Sequence, residues 1–175
     1  MLQYKGIEQS RIWRLKKVLF VCSGNTCRSP LAEGIAREVF PRKAALSVDF
    51  SSAGSSTIEG LPASAPAVAV ALRDAVDLCQ HRSRVLGKTE VAEADLIVVM
   101  ARKHRDSVTA LVPEAFSYTY LLTDFCDGDT GRDVPDPIGG SEADYRRVYD
   151  MIRKCIEAMA EKIDGFRGWK SGGGE

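Results

Sequence analysis

The chain has 175 residues, 45% hydrophobic and 27% charged, a length and balance that suit one globular domain with a sizeable core. Lys+Arg and Asp+Glu stand at 24 each, which excludes a global field favouring nucleic acid or an anionic membrane, so any anion recognition is local. Five cysteines at irregular spacing do not read as a secreted disulfide framework, and no stretch approaches the roughly 18 apolar residues that span a bilayer, so a reducing cytoplasm is the expected compartment.

Residues 1–15 carry basic side chains but no apolar core or small-residue cleavage site, and read as an N-terminal extension rather than a signal peptide. Lys17–Cys22 (KVLFVC) is a short apolar run rich in β-branched residues, the pattern of a strand buried on both faces. Ser23-Gly24-Asn25-Thr26 has turn composition, and Ser29-Pro30 predicts a helix N-cap followed by a proline at the first helical position. Leu31, Ile35, Val39 and Phe40 then recur at helical spacing until Pro41 closes the segment. Ser47–Ala53 reads as a second strand ending at Gly54, and Ala63–Val76 as a helix. Asp95–Met100 is a third strand, Lys103–Val112 a helix, and Tyr118–Leu122 a weaker fourth strand. Cys126–Gly140, with two prolines, many Asp and no periodicity, is a loop. Ser141 caps a long helix whose Tyr145, Val148, Ile152, Cys155, Ile156, Met159 and Ile163 form one apolar stripe. Strands alternating with helices predict an α/β fold with a parallel sheet covered on both faces. It occupies a single domain over 16–168, with 169–175 as a flexible tail.

Ligands of open parallel sheets bind beyond the carboxyl ends of the strands, beside helix N-termini, and Cys22 stands at such an end. A short loop from strand to helix turns several backbone N–H groups inward as an anion cradle, and Gly24 is expected to supply a conformation closed to other residues. Arg28 adds a planar fork for two phosphate oxygens. A helix N-terminus and a nearby cation favour the thiolate that a nucleophile requires. One loop would thus bind a phosphoryl dianion, activate Cys22 and stabilise charge on the oxygens in transfer.

A bare Cys-x5-Arg pattern is weak evidence, and this chain holds a second example from Cys126 to Arg132. That one carries Asp127 and Asp129, which repel phosphate, and runs into Asp133-Val134-Pro135 instead of a helix. It is set aside. His81 and His104, the only histidines, have no ligand set at metal spacing and read as solvated or locally hydrogen-bonded.

Val21-Cys22-Ser23-Gly24-Asn25-Thr26-Cys27-Arg28-Ser29-Pro30 resembles the phosphate loop of the low-molecular-weight protein tyrosine phosphatase family. The resemblance extends to Ser52-Ala53-Gly54, to His81-Arg82-Ser83-Arg84 and to Asp136-Pro137, and spans about residues 16 to 165. It implies a four-stranded parallel sheet in a flavodoxin-like, Rossmann-like three-layer sandwich, no metal or other cofactor, and a phosphocysteine intermediate. By that resemblance Cys22 is the nucleophile, Arg28 the phosphate clamp and Asp136 the general acid. Asn25 would brace the loop, Ser29 would bond the thiolate, and Ser23, Gly24, Thr26 and Cys27 would complete the substrate-binding loop.

Tyrosine-specific members typically carry a bulky aliphatic residue at position 26 and aromatics after the Asp-Pro pair, where this chain has Thr26 and Ile138-Gly139-Gly140. Thr26 resembles the protein arginine phosphatase branch, which implies phosphoarginine in protein substrates, with phosphotyrosine as the alternative. Phosphate would be the product, with no nucleic-acid or membrane partner. Cys22 and Cys27 are close enough in sequence to form a protective disulfide, and a packed Cys27 is the competing role. An arsenate reductase on this scaffold would need two further cysteines near one another, which Cys79 and Cys126 are not. A protein that only binds phosphate or senses oxidants would not need Asp136.

Overall fold

Val18, Phe20 and Cys22 turn to one side of strand β1 (Lys17–Cys22) and Leu19 and Val21 to the other, and all five are buried. The computed structural model describes residues 15–43 and 47–171. β1 lies between β2 (Asp49–Gly54) and β3 (Leu96–Val99), and β4 (Thr119–Leu121) pairs with β3. The order is β2-β1-β3-β4 and every pairing is parallel. The sheet therefore reverses its winding direction beside β1, which places a crevice at the carboxyl end of that strand. The expected four-stranded parallel α/β sandwich is the observed fold.

One face of the sheet is covered by α1 (Arg28–Lys43), α2 (Ala65–Leu72) and α5 (Glu142–Ser171), which meet Val18 and Phe20 through Leu31, Ile35, Val70, Tyr149, Ile152 and Ile156. The other face packs Leu19, Val21, Ile97 and Val99 against Val91 of α3 (Lys88–Glu93) and Val108 of α4 (Arg102–Leu111). Both layers bury aliphatic side chains, so β1 is a fixed platform for whatever follows it.

Several boundaries differ from expectation. α1 begins at Arg28, with Leu31 N donating to Cys27 O at 3.1 Å, so Ser29 lies inside the first turn and is not the N-cap. Pro41 sits in the last turn instead of ending the helix before it, where a missing N–H costs one hydrogen bond at most. α2 is shorter than predicted because Ala75 takes a left-handed conformation, φ 58°, and turns the chain away. The short α3 and the 3-10 turns Pro113–Tyr118 and Leu122–Phe125 have too few residues to show a period. Ser141 does cap α5: its Oγ accepts from Asp144 N at 3.3 Å while Asp144 Oδ2 accepts from Ser141 N at 2.8 Å. Of the expected N-terminal extension only Leu15 is described, buried in the core, and residues 1–14 lie outside the described residues. Helical backbone continues to Ser171 across the start of the expected tail, and 172–175 lie outside the described residues.

Candidate active site

The loop leaving β1 is held by its carbonyls. Cys22 O accepts from Ser55 N at 2.9 Å, Ser23 O from Ser56 N at 3.0 Å, and Thr26 O from Ser64 N at 2.7 Å. Gly24 O accepts from Thr57 Oγ1 at 2.8 Å, and Asn25 O from His81 Nε2 at 2.7 Å, which makes that ring nitrogen the protonated one. A trans peptide sets each N–H opposite the preceding C=O. With five successive carbonyls engaged on the outside, the N–H groups of residues 23–27 turn toward the interior of the loop. Asn25 N reports that direction, donating to Cys22 Sγ at 3.3 Å.

Asn25 is the keystone of the loop and is fully buried. Its φ of 50° places it in the left-handed region, which asparagine tolerates better than most residues. Nδ2 donates to Ser29 Oγ and to Ser52 Oγ, both at 2.9 Å, and Oδ1 accepts from Arg84 N at 2.8 Å. Ser29 Oγ, taking a hydrogen from Asn25, has its own O–H left for Cys22 Sγ at 2.9 Å. Ser52 passes its hydrogen on to Glu33 Oε2 at 2.6 Å. The sulfur thus receives one peptide N–H and one hydroxyl, both suited to an anion. The left-handed position expected at Gly24 belongs to Asn25. Gly24 has no positive φ, and a Cβ there would meet only Thr26 Oγ1, at 3.4 Å. The close approach is made instead by Gly54, where a Cβ would lie 2.6 Å from Ser23 O.

Arg28, at the start of α1, is 4% exposed. Its Nη2 donates to Asp136 Oδ2 at 2.5 Å and its Nη1 to Val134 O at 3.3 Å. The segment carrying Asp136 is docked on the carboxyl edge of the sheet: Val134 N donates to Met100 O at 2.7 Å, and Asp133 Oδ1 accepts from Arg102 N at 3.0 Å at the N-terminus of α4. Asp136 is itself 40% exposed at its side chain, so it reaches both Arg28 and solvent. Cys22, Ser23, Gly24, Asn25, Thr26, Cys27, Arg28, Ser29 and Asp136 are therefore gathered at one crevice although more than a hundred residues separate the ends of that set.

Cys27 is buried behind the loop, and burial, then the neighbouring Cys22 and Asp136, push its thiol up to about 12. All five cysteines are free thiols. Cys126 is buried, while Asp127 projects into solvent and Arg132 pairs with Asp129 at 3.3 Å, so this second Cys-x5-Arg segment forms no cradle. Residues whose roles were missed from the sequence are the braces Ser52, Thr57, Ser64, His81 and Arg84, and also His104, which is fully buried and, of the two expected alternatives, hydrogen-bonded locally, to Ser23 Oγ. Some of them fall in the Ser52-Ala53-Gly54 and His81–Arg84 motifs, which was a signal of importance without a role attached. Among the described residues no cluster of His, Cys, Asp and Glu is placed to hold a metal ion, and no helix is long and apolar enough to cross a membrane.

The family model described as "Low molecular weight phosphotyrosine protein phosphatase" matches residues 17–166. The chain belongs to that family. A protein-arginine-phosphatase of Geobacillus stearothermophilus is 35% identical over 147 residues, covering 84% of this chain and 95% of the relative. The low molecular weight protein-tyrosine-phosphatase Etp of Escherichia coli K12 is 31% identical over 150 residues, covering 86% and 96%. Among solved structures, a mutant of YwlE arginine phosphatase with a phosphorylated active-site serine aligns with a TM-score of 0.78 at 28% identity, covering 84% of this chain and 95% of that one. This phosphatase is a hydrolase of phosphorylated protein side chains, and a covalent phosphoenzyme is the mechanism its relatives point to.

Proposed function

We propose that the chain hydrolyses phosphoarginine in cytoplasmic protein substrates, by way of a phosphocysteine on Cys22, and releases inorganic phosphate. Thr26 carries the choice of substrate. It stands in the phosphate loop and lines a cleft of about 770 Å³ together with Leu61, Pro62, Ala63 and Val68. A guanidinium is a flat array of donors that wants acceptors, and a threonine hydroxyl offers one where an aliphatic side chain would offer only methyl surface. After the Asp136-Pro137 pair, Ile138 is exposed and is followed by Gly139 at φ 78° and by Gly140, so these three positions supply no aromatic ring to stack on a phenyl group. The relative named as a protein-arginine-phosphatase supports the same substrate.

The phosphoryl oxygens take the inward N–H groups and Arg28, displacing Asp136 from the guanidinium. The Cys22 thiolate attacks phosphorus opposite the leaving nitrogen, the P–N bonding pair departs with that nitrogen, and Asp136 delivers a proton to it. Water then attacks the phosphocysteine while Asp136 takes its proton, the S–P pair returns to sulfur, and phosphate leaves. Asn25, Ser29, Ser23, Gly24 and Cys27 hold the loop in the shape that both steps use.

Phosphotyrosine is the alternative substrate, favoured by the Etp relative. Matched peptides bearing phosphoarginine or phosphotyrosine separate the two. A higher kcat/KM on phosphoarginine is expected, and equal values or a preference for phosphotyrosine overturns the assignment.

A further inference from the structure

Ser23 directly follows the nucleophile, yet its side chain takes no part in the Asn25 network. Its Oγ lies 2.9 Å from His104 Nε2. His104 sits in the first turn of α4, fully buried, and its Nδ1 has no hydrogen-bond partner among the described residues. In the same first turn of α4, Arg102 N donates to Asp133 Oδ1, which docks the segment that carries Asp136 beside this turn.

The two neutral tautomers differ in what they strand. A hydrogen on Nδ1 would leave a buried N–H without an acceptor, and Nε2 would then draw in the Ser23 hydrogen. Ser23 would present only lone pairs to an arriving anion. A hydrogen on Nε2 is instead donated to Ser23 Oγ, only a lone pair is stranded on Nδ1, and the Ser23 O–H is left free. A stranded buried N–H is the rarer and costlier outcome. The doubly protonated ring is disfavoured as well: burial, then Arg28 and Lys103, push His104 down to about 4.

We propose that His104 is a positioning residue whose Nε2–H holds the Ser23 hydroxyl as a hydrogen-bond donor to the bound phosphoryl group. The loop then carries a side-chain donor besides its backbone N–H groups and Arg28. This rests on the loop being a phosphate site and is independent of whether the substrate is phosphoarginine or phosphotyrosine.

The test titrates the full-length protein with inorganic phosphate, followed by amide NMR, which needs no turnover. Ser23→Ala removes the donor without touching the core and should weaken phosphate binding about tenfold. His104→Leu should do the same, His104→Gln, which keeps a side-chain N–H, should recover most of the loss, and the Ser23→Ala/His104→Leu double variant should bind no worse than either single one. Nitrogen spectra of the wild-type imidazoles should show the Nε2–H tautomer at His104. A Nδ1–H tautomer, phosphate binding by Ser23→Ala within twofold of wild type, or losses that add in the double variant would overturn the proposal. If His104→Leu does not fold, the tautomer and Ser23→Ala decide alone. A wild-type protein that binds no phosphate would refute the phosphate site itself, a failure distinct from a site that binds normally without Ser23.

Discussion

Gly54→Ala tests the coupling between the sheet and the phosphate loop. The added Cβ would lie 2.6 Å from Ser23 O, 2.7 Å from Thr57 Cγ2 and 3.0 Å from Asn25 Cβ. Neither side yields easily. Ser23 O is fixed by Ser56 N at 3.0 Å, and Gly54 itself donates to Arg84 O at 2.8 Å and accepts from Leu86 N at 2.9 Å. Restoring an ordinary contact of 3.4 Å moves the Ser23 peptide by about 0.8 Å. Overpacking of this kind costs about 1–3 kcal/mol, and for a chain of this size each kcal/mol lowers Tm by about 2–4 °C. The displacement falls on the loop that surrounds the sulfur, where a misplacement near 1 Å costs roughly a hundredfold in rate. Turnover of an aryl phosphate should therefore fall by one to two orders of magnitude, out of proportion to the drop in Tm. A variant with turnover within twofold of wild type would refute the claim that this contact sets the loop.

Asp136→Asn should slow hydrolysis of substrates with poor leaving groups far more than hydrolysis of activated aryl phosphates, read as kcat on a leaving-group series; equal losses across it would remove Asp136 as the acid. Thr26→Ile should shift the kcat/KM ratio from phosphoarginine toward phosphotyrosine peptides, and an unchanged ratio would detach Thr26 from specificity. His104 gives a pH dependence. Its imidazole is held at about 4 in the fold against an ordinary 6.5, so the unfolded chain binds more protons between those values. Its contribution to stability is complete above pH 6.5 and is lost as pH falls toward 4, by about 3 kcal/mol. The urea midpoint of wild type should fall relative to that of His104→Gln on acidification from pH 6.5 toward 4, and parallel curves would contradict this.

Much of the fold was legible because its signals are local. KVLFVC announces a strand buried on both faces, and the stripe from Tyr145 to Ile163 announces a helix lying on a core. The position of Cys22 at a strand end followed by a helix was enough to place the crevice. Which atoms face it was not legible, because that is set by contacts distant in sequence. The left-handed residue is Asn25 and not Gly24, since Asn25 earns the conformation through Ser52 and Arg84, 27 and 59 residues away. Ser29 carries the sequence mark of a helix cap, but the helix starts earlier and its hydroxyl is drawn to the sulfur instead. His104, flanked by Lys103 and Arg105, reads in a sequence window as solvated or locally hydrogen-bonded, and nothing there names its partner, Ser23, 81 residues before it.

The nucleophile is tested most directly by acid-quenching the enzyme during turnover and mapping phosphate by mass spectrometry. A phosphoryl group on the peptide containing Cys22, rising within the first turnover and missing from Cys22→Ala, is the predicted result. Phosphate on another residue, or hydrolysis by Cys22→Ala at the wild-type rate, would contradict covalent catalysis by this sulfur.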